Sequence, residues 1–137
     1  MKKIHKEYRK ATTLRAISTN NGLVRSDKVV FRYFDKDRQV IEMTFGQFNE
    51  KIESMIGAFE NLGFQGKRVA VVGETCPEWL ITFFAAISAG AVIIPLDKEL
   101  MHDQIKGFLV QAKADVIVMS PKFSEKYDDL KSAGVFD

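Results

Sequence analysis

The chain has 137 residues, 46% hydrophobic and 28% charged, which suits one globular domain able to bury a core without disulfides or metals. Its one cysteine, Cys76, excludes an internal disulfide and fits a reducing, cytoplasmic setting. The net charge of +2 makes no case for a nucleic-acid partner, and no apolar segment follows Met1-Lys2-Lys3 to make a signal peptide.

Charge is uneven along the chain. Residues 1–38 hold 11 Lys+Arg against 4 Asp+Glu, leaving 9 against 14 for the rest. Ile4, Tyr8, Ala11, Leu14 and Ile17 recur at spacings of three and four, predicting an amphipathic helix that ends near the turn signal Asn20-Asn21-Gly22. The basic arm formed by Lys2, Lys3, Lys6, Arg9, Lys10 and Arg15 has two readings. One is a solvated helix face; the other is weak peripheral contact with an anionic membrane.

Residues 29–34 and 39–43 read as strands about the polar turn Asp35-Lys36-Asp37-Arg38, a β-hairpin. Thr44 and Gln47 fit a capping box opening a helix with the apolar stripe Phe48, Ile52, Met55, Ile56, Phe59 and Leu62, closed by Gly63. Residues 68–72 form a buried strand. Pro77 then starts a helix running to about Ala89 that is apolar on nearly all sides.

Residues 79–96 carry no charge, a length bordering on a membrane span. Gly90 and Pro95 divide the stretch, so it reads as a buried helix followed by the β-branched strand at 91–95. A helix over 101–112 follows, with Ile105, Phe108, Leu109 and Ala112 inward. Next come a strand at 115–119 and a short helix begun by Ser120-Pro121 and reaching Tyr127 and Leu130. The fold class is therefore α/β, a parallel sheet with flanking helices and right-handed crossovers, preceded by a β-hairpin. There is no repeat, low-complexity segment or linker. Gly134-Val135-Phe136-Asp137 reads as the approach to a further element, as if the chain stops within a fold.

Ligands of open parallel sheets bind beyond the carboxyl ends of the strands, making Glu74, Thr75, Asp97 and Ser120 the positional candidates for a polar site. Capping and loop solvation explain the same residues without a ligand. Neither a dinucleotide fingerprint, a Walker-type phosphate loop nor a G-x-S-x-G elbow is present. His5 and His102 lack partners at metal-ligand spacing, and His102 beside Asp103 reads as a surface residue. Cys76 sits at a helix N-terminus, where the dipole can lower a thiol pKa, although a passive cysteine is the default. Trp79, Phe83 and Phe84 read as core, with an apolar ligand wall as the alternative. No residue is assigned a catalytic, cofactor-binding or metal-binding role.

Residues 43–100 resemble the opening of adenylate-forming, AMP-binding enzymes. The resemblance rests on Thr44-Phe45-Gly46-Gln47, Leu62-Gly63, Gly66-Lys67-Arg68-Val69, Glu78-Trp79, Ala89-Gly90-Ala91-Val92 and Pro95-Leu96. Gly73-Glu74-Thr75 and Pro95-Leu96-Asp97-Lys98-Glu99-Leu100 look most like the long-chain fatty-acid–CoA ligases. The resemblance spans about residues 8–120, and the order of its short motifs is what makes it specific.

It implies that residues 1–137 are an N-terminal fragment of an AMP-binding, acyl-activating domain, with no second domain. The parent enzyme would use ATP, Mg and CoA to make an acyl-adenylate and then a thioester. The family's Ser/Thr/Gly-rich phosphate loop has no counterpart here, so the fragment itself is expected to bind no cofactor and to be inactive. Its expected partner is the remainder of the parent polypeptide, with self-association through an incomplete sheet as a further expectation. The alternative is a stand-alone, non-catalytic interaction module built on the same fold.

Overall fold

The structure, a computed structural model, describes residues 11–124. Ile4 and Tyr8 of the first predicted helix, the basic arm short of Arg15, and Tyr127 and Leu130 of the last lie outside the described residues.

The first helix, α1 (Leu14–Val24), is capped by Thr13, whose hydroxyl accepts from the Ala16 N–H at 3.1 Å. It runs through Asn20-Asn21-Gly22 instead of ending there, and Leu14 and Ile17 are exposed while Ser18 and Gly22 are buried. The reason is tertiary. A Cβ on Gly22 would come within 2.6 Å of Asn49 Cβ, so small residues form the face that approaches the next helix. The Asn21 amide donates to the Ile17 carbonyl at 2.9 Å, a bond within the helix where a turn had been expected. Arg15 pairs with Glu53 at 3.3 Å, both side chains about half exposed.

The hairpin pairs β1 (Val29–Phe34) with β2 (Val40–Thr44), Phe34 opposite Val40. Asp35 closes the turn, its carboxylate accepting from the Asp37 and Gln39 N–H groups at 2.9 and 2.8 Å. Thr44 ends β2 and caps α2 (Phe45–Asn61), with both bonds of the capping box present. Phe48, Ile52, Ile56 and Phe59 are buried, each contributing about 1.5–3 kcal/mol. Leu62, predicted on that stripe, is 67% exposed. The helix has ended at Asn61, and Gly63 at φ +71° turns the chain so that Phe64 is buried in its place, stacked on Phe59.

Three parallel strands form the sheet: β3 (Arg68–Val72), β4 (Val92–Leu96) and β5 (Val116–Met119), in the order β4-β3-β5. Between them run α3 (Pro77–Ser88) and α4 (His102–Ala112). The chain then enters a 3-10 turn at Pro121–Phe123. The uncharged stretch thus divides into α3 and β4, and no helix among the described residues is long and apolar enough to cross a membrane.

Alternation along β3 sets the two layers. Val69 and Val71 join the α2 and α3 side with Phe48, Ile52, Ile81 and Ala85. Ala70 and Val72 face Ile105 and Leu109 of α4. Only this i, i+4 row of α4 meets the sheet, which leaves Phe108 45% exposed, contrary to its predicted inward place. At the amino end of the sheet the Arg68 N–H donates to Asp115 at 2.7 Å, and the Arg68 guanidinium reaches the Ala112 carbonyl at 2.6 Å. The Arg68 N–H, helped by Lys67 at 3.6 Å, holds the Asp115 carboxyl below its ordinary value.

Candidate functional site

Backbone direction creates the crevice. After Val72 the chain leaves toward α3 on one face of the sheet. After Met119 it leaves toward Phe123, which packs with the α4-side cluster on the other face. Adjacent strands β3 and β5 therefore part in opposite directions, the topological switch point at which open α/β sheets bind ligands. A cleft of about 280 Å³ lies there, with Val72, Val118, Met119 and Trp79 among its apolar walls and Glu74, Cys76, Thr82 and Ser120 supplying polar atoms.

Of the four positional candidates, the fold brings Glu74 and Ser120 together in this cleft. Thr75 is exposed and is not part of its lining. Asp97 turns to its own loop, accepting from the Glu99 N–H at 2.9 Å, which is the capping role weighed against a ligand role. Lys122 was not singled out in the sequence. It crosses the mouth to Glu74 at 3.0 Å, and no spacing motif links residues so far apart in the chain. The Lys122 ammonium, with the Glu74 backbone N–H and the Ser120 hydroxyl, lowers the Glu74 carboxyl from its ordinary 4.5 to about 2.

Gly73 lies between the walls with room for a Cβ. A Cβ built there would touch Trp79 at 3.4 Å and Ser120 at 3.6 Å. Trp79 stacks on Phe83 with centroids 5.5 Å apart, and Phe83 meets Phe84 edge-on at 5.7 Å. Trp79 is thus both packing and cleft wall, whereas Phe84 belongs to the core cluster around α2. Cys76 occupies the N-cap of α3, where a helix dipole favours the thiolate. Burial outweighs it and pushes the thiol above its ordinary value, with Glu78 beside it acting in the same direction. His102 lies at the start of α4, 3.6 Å from Asp103.

The cleft does not fit a nucleoside triphosphate. Its charged lining is the ionised Glu74, already paired with Lys122, and the exposed Glu78, beside the neutral Cys76 thiol, a set that repels phosphate. Among the described residues no three of His, Cys, Asp and Glu gather where they could hold a divalent cation. No step of phosphoryl chemistry is assigned to these side chains.

Comparison with known proteins places this geometry in a class. A family model described as AMP-binding enzyme matches residues 20–135, and the chain belongs to that family. Crotonobetaine/carnitine–CoA ligase of Salmonella paratyphi A is 25% identical over 109 residues, which are 79% of this chain and 21% of that protein. The chain therefore spans about a fifth of the length of the curated relatives it matches. Among solved structures, the anthranilate–CoA ligase AuaEII superposes with a TM-score of 0.75 at 24% identity, covering 87% of this chain and 22% of that one. The N-terminal domain of FACL13 from Mycobacterium tuberculosis superposes with a TM-score of 0.75 at 18% identity, covering 89% and 30%. At such identities the superpositions establish the fold, the N-terminal α/β portion of the adenylate-forming enzymes.

Proposed function

We propose that this chain is the N-terminal part of a cytoplasmic ATP-dependent acid–thiol ligase that joins a fatty acid to CoA, and that residues 1–137 by themselves catalyse nothing. The family match over residues 20–135, reinforced by a CoA ligase relative along most of the chain, carries the reading. Adenylation requires preorganised positive charge around the transferring phosphoryl group. No Lys or Arg lines the described cleft, and Lys122, which reaches Glu74 from outside it, is already paired. In this reading the chain is scaffold. Its parallel sheet and the α2–α3 layer form a wall against which the rest of the polypeptide builds the nucleotide and acyl sites.

A fatty acid is favoured over other acids by the stretches Gly73-Glu74-Thr75 and Pro95 to Leu100, which resemble the long-chain branch. The curated relative is named for crotonobetaine and carnitine, so the acid is a matter for direct assay. Pyrophosphate release should be followed with ATP, magnesium, CoA and a panel of fatty acids and betaine-type acids. The 137-residue chain is expected to give background rates. A longer polypeptide carrying these residues at its N-terminus should release pyrophosphate with fatty acids. Turnover by the short chain would overturn its scaffold role, and preference of the longer one for betaine-type acids would overturn the substrate.

A further inference from the structure

The cleft at the switch point is lined in a way that selects a ligand by charge. Its lining residues, from Val71 to Pro121, all lie among the described residues. Trp79, Val118 and Met119 give it apolar walls, and its volume of about 280 Å³ suits a ligand at the small end of those that proteins enclose. The lining holds no Lys or Arg, and its two charged members, Glu74 and Glu78, are both carboxylates. The start of a helix ordinarily draws an anion. At the start of α3, however, Pro77 brings no N–H and Glu78 sets a carboxylate in the first turn. The Cys76 thiol, pushed above its ordinary value by burial, stays neutral and adds no charge.

Two polar groups can still take a partner. Thr82 is 7% exposed and borders the cleft, and its hydroxyl has no hydrogen-bond partner among the described residues. A buried hydroxyl left unpaired is costly, and a ligand that bonds to it relieves that cost. Glu74 is held by Lys122 at 3.0 Å, but that lysine side chain is 79% exposed and comes from outside the lining. An exposed pair of this kind is weak, so a second cation can take its place on the carboxylate.

From the apolar walls and the two carboxylates we propose that the cleft binds a small primary ammonium compound with an apolar body. The body lies along Trp79, Val118 and Met119, and the charge is met by Glu74 and Glu78. Carboxylate and hydroxyl oxygens both accept from N–H, so an ammonium with three donors satisfies groups that a quaternary one cannot. Lys122 is then a competitor for Glu74 and not a member of the site. A ligand this small binds weakly, with a dissociation constant on the order of 1 mM.

Amide chemical shifts of the 137-residue chain, followed by NMR during titration with phenethylamine, test this. Gly73, Trp79 and Ser120 should shift and saturate together while the hairpin residues stay unmoved. Phenethyl alcohol, of the same shape but neutral, should bind several-fold more weakly, and phenylacetate should not bind. Glu78→Gln should weaken phenethylamine by about 3-fold and narrow its advantage over the alcohol. Lys122→Ala should tighten phenethylamine by about 3-fold, where loss of a merely structural pair would weaken it. Should Lys122→Ala fail to fold, Glu78→Gln and the order of the three probes on the unaltered chain decide. Shifts that do not saturate or that centre elsewhere, alcohol or phenylacetate binding as well as the amine, or a folded Lys122→Ala that binds the amine no better would each overturn the proposal.

Discussion

Two residues show how a single position governs this structure. Gly22 is set by space: the α1–α2 contact leaves a Cβ no room beside Asn49. Gly22→Ala should destabilise the chain by about 1–3 kcal/mol even though alanine is the better helix former, because overpacking outweighs propensity. Urea unfolding of the two proteins checks this, and an unchanged midpoint would refute it. Glu74 is set by charge. Its folded pKa, about 2, lies below its ordinary 4.5. The link to Lys122 therefore contributes fully above pH ~4.5 and is lost as pH falls through about 2. The stability difference between the chain and Glu74→Gln should be present at pH 7 and shrink to nothing at the acid end of that window. A difference independent of pH would mean that packing, and not the carboxylate, carries the contribution.

Among the elements, α2 has its N-terminus closed by its own side chains. Thr44 and Gln47 satisfy each other's backbone N–H groups at 3.3 and 2.9 Å. Thr44→Ala should cost about 0.5–2 kcal/mol, read from thermal or urea unfolding. Gln47→Ala should cost less, since the Thr44 hydroxyl still serves the helix. Signals of this local kind are why α2, α3 and the three parallel strands were legible beforehand: a cap, a proline at a first turn and β-branched runs act within a few residues. The end of α1 was not legible, because the Asn20-Asn21-Gly22 preference for a turn is overridden by an approach to Asn49 that no local pattern encodes. Phe108 was misplaced for a related reason. Apolar spacing gives the side of α4 that turns inward, but the narrow row of Ala70 and Val72 beneath it sets how wide that side is.

At the scale of the whole molecule, the crevice was legible in location and only partly in content. Strand ends pointed to Glu74 and Ser120. The meeting of Glu74 with Lys122 depends on where the 3-10 turn after β5 is carried, a property of chain path. The same path gives the sheet one covered face built by α2 and α3 and another served by α4. The chain's sole tryptophan stands where the covered face opens onto the crevice, with Phe83 stacked on it. Its ultraviolet emission therefore comes from a single known place. A change in its colour or intensity reports the docking of the first turns of α3 against the ends of β3 and β5.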